Sequence, residues 1–166
     1  MRTGIALGSN LGDRLQNLRA GRDAVFAIPG VSAPLLASRV YETEPVGTGP
    51  DADAFLNAVV EVDYAHHPLA LLEALQAIET AMGRPATRPK NAPRTLDLDI
   101  LYVGDFVLSN DNIELPHPRL HLRRFVLQPL YDIRTDLVLP GQQGTVHALF
   151  SALADTAAVA EYAAEW

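Results

Sequence analysis

The five residues Leu96-Asp97-Leu98-Asp99-Ile100 alternate strictly between apolar and acidic side chains. A period of two belongs to a β-strand and not to a helix, so Leu96, Leu98 and Ile100 can be buried on one face of a sheet only by turning Asp97 and Asp99 to the other. The two aspartate α-carbons then lie about 6.5–7 Å apart. Like charges on one face repel unless something positive lies between them. Such a pair is either a solvated strand face or a cation site. Oxygen-only ligands would select Mg²⁺ or Mn²⁺ over zinc. Arg94 stands three residues upstream, and the segment 83–93, GRPATRPKNAP, leads into the strand with Arg84, Arg88 and Lys90. Metal-binding carboxylates beside arginines are the parts that phosphoryl transfer uses, because that reaction proceeds by positioning and charge neutralisation.

Charge is distributed to match. The net charge of −7 argues against a general nucleic-acid binder. Between Arg84 and Arg124, however, seven basic residues face five acidic ones, a net +2 that leaves −9 to the rest of the chain. Six of those seven are arginines, whose planar fork grips phosphate oxygens in pairs. A solvated charged surface is the plainer reading; a site for a small polyanion is the sharper one. The 166 residues fit one domain spanning 1–166. No apolar run approaches the ~20 residues that span a bilayer, and the N-terminal apolar stretch is too short for a signal-peptide core. The expectation is a cytoplasmic protein with no membrane partner; the absence of cysteine excludes disulfides without choosing a compartment.

Periodicity and punctuation predict the elements. Residues 2–8 read as a strand, 13–28 as an amphipathic helix stopped by Pro29-Gly30, and 31–42 as a strand weakened by Pro34. Residues 43–53 are a loop, and the β-branched run 55–64 is a strand. Pro68 opens a helix that Gly83 ends. A second loop, 83–93, precedes the alternating strand 96–104. A hairpin over 105–116, a helical stretch near 120–131 and a last helix near 145–155 complete the chain. Strand-helix-strand repeated twice, with an appendage, is the α+β, ferredoxin-like split βαβ pattern: an antiparallel sheet with helices packed on it and a C-terminal hairpin and helix. That fold hosts many activities and names none.

Other nucleotide signatures are missing. There is no Gly-Lys dipeptide, hence no phosphate loop of the G-x-x-x-x-G-K-[ST] kind, and no HRD or DFG triplet. The turn Gly8-Ser9-Asn10-Leu11-Gly12 reads either as a phosphate-binding turn or as a helix start capped by Asp13 or Asn10. His66 and His67 read as a solvated helix start. His117, between two prolines and near Arg119 and Arg123, is the better candidate for touching a nucleotide.

Taken together, PRTLDLDI, Glu79 with Arg84 five residues on, FLNAVVEV, ALGSNLGD and LPHPRLHLRRFVLQPL resemble the 6-hydroxymethyl-7,8-dihydropterin pyrophosphokinase family, in order from residue 4 to about residue 140. The resemblance implies transfer of the terminal pyrophosphoryl group of ATP to the pterin hydroxymethyl in folate biosynthesis, with two Mg²⁺ ions and a monomeric enzyme. Residue by residue, it implies that Asp97 and Asp99 bridge the cations and that Arg84 and Arg94 act on the phosphates. It places the pterin among Thr43, Pro45, Val46 and Asn57, stacked between Phe55 and Phe125. Leu72, Gln76 and Ile100 match the adenine surroundings, and Glu79, His117 and Arg123 match polar contacts to ATP. Three positions depart from some members of the family: Asn91 stands for a tryptophan, Pro118 for an aromatic and Glu44 for a proline. The loop 83–93 is expected to close over ATP as a lid. No side chain reads as a separate general base.

Two other readings compete. A nucleotidyltransferase of the β type would set its Gly-Ser turn about a dozen residues from its D-x-D strand, whereas Ser9 and Asp97 are 88 apart. A non-catalytic ligand-binding module on the same fold would need neither the carboxylate pair nor the arginines.

Overall fold

The structure, a computed structural model, describes residues 1–44, 53–83 and 93–166. Strand β1 (Arg2–Ser9) runs into helix α1 (Arg14–Phe26), whose first turn is capped by Asp13: its carboxylate accepts the Gln16 N–H at 3.1 Å. Strands β2 (Val31–Ala37) and β3 (Val40–Thr43) follow, then β4 (Phe55–Tyr64) and helix α2 (Pro68–Ala81). Proline at the first position of α2 needs no N–H there, and the His67 imidazole accepts the Leu69 N–H. Strand β5 (Asp97–Val103) closes the second strand-helix-strand unit. The neighbour order is β5-β1-β4-β3, with β2 on the same side of β4 as β3, and the pairs are antiparallel. This is the predicted ferredoxin-like sheet.

The two faces of that sheet do different work. Ile5 and Leu7 of β1, Ala58 and Val60 of β4, and Leu98 and Ile100 of β5 are buried against Leu18 and Val25 of α1 and Leu71 and Leu75 of α2. On the opposite face Val59, Leu101 and Tyr102 pack against the C-terminal part of the chain. That part begins with the short hairpin β6 (Leu108–Ser109) and β7 (Glu114–Leu115), and a 3₁₀ turn over Leu120–Leu122. Helices α3 (Arg124–Ile133) and α4 (Val146–Ser151) then cover the face through Val126, Leu127, Leu130 and Val146. Complete burial of an aliphatic side chain of this size is worth about 1.5–3 kcal/mol, enough to hold the appendage down.

Two expectations are corrected. The strand foreseen over 31–42 is two strands, because Ser38 interrupts it. Its N–H and C=O do not continue the ladder simply: the Ser38 N–H donates to the Val59 carbonyl and its hydroxyl accepts the Val59 N–H, both at 2.9 Å. The last helix is shorter than 145–155, and the chain then returns as β8 (Val159–Ala163), antiparallel to β3 at the sheet edge. His66 and His67 form the solvated helix start that was expected: both are exposed, His66 meets Tyr64 edge-on with ring centres 5.6 Å apart, and His67 caps α2.

Candidate active site

Alternation along β5 holds from Asp97 to Ile100 and then breaks. Gly4 of β1 pairs with Tyr102 and Ile5 with Ile100, so Leu101 is an extra residue, a β-bulge. Both Leu101 and Tyr102 consequently turn to the α3 side, joining the face that already holds Asp97 and Asp99. Cross-strand register decides what else lies there. One row runs Tyr41–Asn57–Gly8–Asp97 across β3, β4, β1 and β5. The next runs Val59–Ala6–Asp99, and Thr43 pairs with Phe55 on the other side of the first. Thr43, Phe55, Asn57, Asp97 and Asp99 thus share one face, although up to 56 residues separate them in sequence.

Each polar group is held. Asn57, only 8% exposed, donates from Nδ2 to the Thr43 hydroxyl at 2.8 Å, which leaves Oδ1 turned toward Gly8. Arg94 is pinned through its backbone: its N–H donates to Asn10 Oδ1 at 2.8 Å, and its carbonyl accepts the Asn10 N–H at 3.1 Å. The guanidinium reaches Asp97 Oδ2 at 2.5 Å and lies 6.0 Å from the centre of the Phe55 ring. Its Nε is buried without a hydrogen-bond partner. Arg123, at the N-terminus of α3, stands 5.4 Å over the Phe125 ring. Burial and Arg119 work against the Arg123 charge and lower its pKa, while Asp99 and Asp97 support it.

A second group lies round the open edge of β5. Leu72, Gln76 and Glu79 recur along α2 at helical spacing, and Leu72 packs against the core cluster that contains Ile100. Glu79 is buried, and its carboxylate accepts the Leu98 N–H at 2.8 Å, so α2 supplies the partner that the edge strand lacks. The His117 N–H donates to the Leu101 carbonyl at 2.8 Å, and its Nδ1 accepts the Arg119 N–H at 3.1 Å. Burial first, then Arg123 and Arg119, push the His117 imidazole below its usual pKa, so it is neutral at pH 7.

Of the residues predicted from sequence, Thr43, Phe55, Asn57, Arg94, Asp97 and Asp99 therefore come together on one face, with Arg123 charged toward the aspartates and Phe125 on the covering helix. Leu72, Gln76, Glu79 and Ile100 gather across the β5 edge, with His117 beside Leu101. Pro45, Val46 and Arg84 lie outside the described residues, as does the expected lid with Arg88, Lys90 and Asn91. Sequence reasoning missed what Asn10 does: it is 1% exposed and clamps Arg94 rather than capping a helix. It also passed over Gly8, which only register could place between Asn57 and Asp97.

The family model described as 7,8-dihydro-6-hydroxymethylpterin-pyrophosphokinase matches residues 4–135. The Haemophilus influenzae 2-amino-4-hydroxy-6-hydroxymethyldihydropteridine pyrophosphokinase is 39% identical over 139 residues, covering 84% of this chain and 85% of that protein. The Bacillus subtilis enzyme of the same name is 41% identical over 129 residues, covering 78% and 75%. Among solved structures, wild-type Plasmodium falciparum HPPK-DHPS with pteroate superposes with a TM-score of 0.69 at 16% identity, over 90% of this chain. This chain spans only 42% of that one, and the likeness speaks for the fold alone.

Proposed function

Because the chain belongs to the 7,8-dihydro-6-hydroxymethylpterin-pyrophosphokinase family, and so transfers the pyrophosphoryl group of ATP to hydroxymethyldihydropterin in folate biosynthesis, we propose that the face carrying Asn57 and the Asp97–Asp99 pair is where that transfer takes place. The observation that carries the assignment is the row Asn57–Gly8–Asp97, which sets a polar hook for a ring one strand away from a carboxylate for phosphate-bound cations.

The Thr43 hydroxyl occupies one donor of Asn57, and the carboxamide oxygen is left to accept an N–H from the pterin edge. Phe55 and Phe125 would stack on the pterin, and such stacking adds roughly 0.5–1.5 kcal/mol beyond burial. No group of three or more His, Asp or Glu side chains able to hold a metal occurs among the described residues. Two carboxylates suit Mg²⁺ that arrives with ATP and completes its shell with phosphate oxygens and water. The donor set fits that ion, and two are expected. When bound, Mg²⁺ supplies charge neutralisation at the phosphates and lowers the cost of bringing a hydroxyl oxygen to the β-phosphorus.

Arg94 now balances Asp97, and its partnerless Nε supports reading the half-buried guanidinium as a group with bonding capacity left for a phosphate oxygen. Arg123 and, by family resemblance, Arg84 would add to the same charge. Strand alternation turns the Ile100 peptide to the same edge as Leu98, where Leu72, Gln76, Glu79 and neutral His117 would receive the adenosine. Attack forms a bond from the hydroxymethyl oxygen to the β-phosphorus and breaks the bond to the α-phosphate oxygen, releasing AMP. The hydroxyl proton passes to solvent or to an aspartate holding a cation; no separate general base is assigned. We also propose a monomeric, cytoplasmic enzyme; no helix among the described residues is long and apolar enough to cross a membrane.

Incubation with ATP, Mg²⁺ and hydroxymethyldihydropterin should release AMP in step with pterin diphosphate. ADP without AMP would sink pyrophosphoryl transfer. Released pyrophosphate with an adenylylated product would make this a nucleotidyltransferase.

A further inference from the structure

Strand β1 carries two glycines on the face that holds the aspartates, and their side-chain spaces are used differently. At Gly4 the space is filled: an added Cβ would fall 2.3 Å from Cε1 and 2.6 Å from Cζ of Tyr102, whose ring lies over the backbone. At Gly8 it is open. The nearest atoms to a Cβ there are Asn57 Oδ1 at 3.4 Å, Phe55 Cδ1 at 3.9 Å and Asp97 Cβ at 4.0 Å. All three are ordinary van der Waals separations, so among the described residues nothing occupies the space and nothing forbids a methyl group there.

The three neighbours are informative because each belongs to a different part of the proposed site: ring recognition, ring stacking and cation binding. Asn57 is the independent sign of a ligand. It is more than nine-tenths buried, its Nδ2 is committed to Thr43, and its Oδ1 is directed at the open space while accepting no hydrogen bond from the described residues. That oxygen keeps an acceptor position for a ligand's N–H.

We propose that Gly8 is a specificity-determining residue whose bare backbone forms the floor beneath the edge of the flat heteroaromatic substrate, setting how deeply the ring sits between Asn57 and Asp97. The inference rests on the pterin reading above and adds a selection rule: the site takes planar, fused rings whose edge can approach a backbone that carries no side chain. A Cβ would stand about 1.5 Å off that floor and lift the ring by a comparable distance. Displacement on that scale moves the hydroxymethyl away from the aspartate pair, and about 1 Å of misplacement can cost on the order of 10²-fold in rate.

Gly8→Ala tests this by calorimetry and thermal unfolding. With α,β-methylene-ATP and Mg²⁺ present, affinity for hydroxymethyldihydropterin should fall about tenfold or more, the scale of overpacking a formed site. Affinity for the ATP analogue itself should fall much less, because the added methyl would meet Asp97 only in ordinary van der Waals contact and leave its carboxylate in place. The Tm should hold or rise, because alanine in a strand loses less backbone freedom on folding than glycine. Unchanged pterin affinity would overturn the inference while leaving the pyrophosphokinase reading in place. An equal loss for both ligands would also overturn it, showing a general disturbance of the site. Failure of the unsubstituted protein to bind the pterin would overturn both readings together.

Discussion

Asp97 and Asp99 differ in how they are held, although both project from the same side of β5. Asp97 is half-buried and bonded by Arg94, three residues before it, while Asp99 is exposed one row further along the sheet. Neither packs in the core, so replacing a carboxylate oxygen with an amide leaves the fold's apolar contacts as they are. What changes is charge at the point where phosphates and cations meet. Asp97→Asn and Asp99→Asn should each melt close to the unsubstituted protein yet lose at least about 10²-fold in turnover, the scale of removing one strong electrostatic contact. Steady-state rates at saturating Mg²⁺ provide the check. Near-normal activity in either variant would reduce the pair to a solvated strand face.

Helix α3 carries Phe125 and follows directly on Arg123, so its placement sets one wall of the site. Neither end of it is secured by local sequence. Arg123 stands at the N-cap without a side-chain hydrogen bond, and the cap comes instead from Asp155, which accepts the N–H of Arg124 and of Ala157, each at 2.9 Å. Those two bonds hold the Asp155 carboxyl below its usual pKa of 3.8. At the other end Asp132 accepts the Tyr41 hydroxyl at 2.9 Å and the Arg39 N–H at 3.2 Å, fastening the helix to β3. Burial, then the bond to Asp132, pushes the Tyr41 hydroxyl up to about 12. Asp155→Ala should therefore cost about 1 kcal/mol at neutral pH, as lost caps do. Since the folded pKa lies below the unfolded one, this contribution is complete above pH 3.8 and disappears as pH falls through the folded value. Denaturation curves of variant and parent should converge in acid; a gap that persists there would mean that Asp155 works by packing rather than by charge.

Across the whole molecule, the α3 face of the sheet has a reactive end and a structural end. Two rows from Gly8, Gly4 pairs with Glu61 and Tyr102, and Glu61 is 0% exposed. Its carboxylate takes Arg134 Nε at 2.7 Å and a second bond from the Arg134 fork, the Tyr102 hydroxyl at 2.5 Å, and Arg2 at 3.4 Å. Arg134 immediately follows α3, so the cluster locks the appendage to the sheet in the row beyond Asp99. Removing Arg134 leaves the buried Glu61 charge with only the more distant and exposed Arg2: Arg134→Ala should cost about 3–5 kcal/mol in chemical denaturation. kcat and KM measured well below the melting temperature should be unchanged. Lost activity without lost stability would instead tie this cluster to the reaction. Further strapping comes from Trp166, whose indole N–H donates to the Ser38 carbonyl at 2.7 Å and whose ring lies 5.0 Å from the Arg22 guanidinium.

What was legible in the sequence is what depends on neighbours a few residues away. The two-residue period of 96–100, the proline opening α2 and the glycine after it decide strand and helix locally, because backbone geometry and side-chain direction repeat over a single turn or pleat. The chemistry was legible too, since two carboxylates on one strand face beside arginines restrict what can bind. Tertiary structure alone decided the rest. The break at Ser38, the bulge at Leu101, the return of β8, the grip of Asn10 on Arg94 and the meeting of Asn57 with Asp97 across Gly8 are all cross-strand or cross-chain relations. They join residues between 21 and 123 positions apart. Such contacts are selected by which register buries the most apolar surface while pairing every backbone group, a sum over the whole sheet that no local window contains.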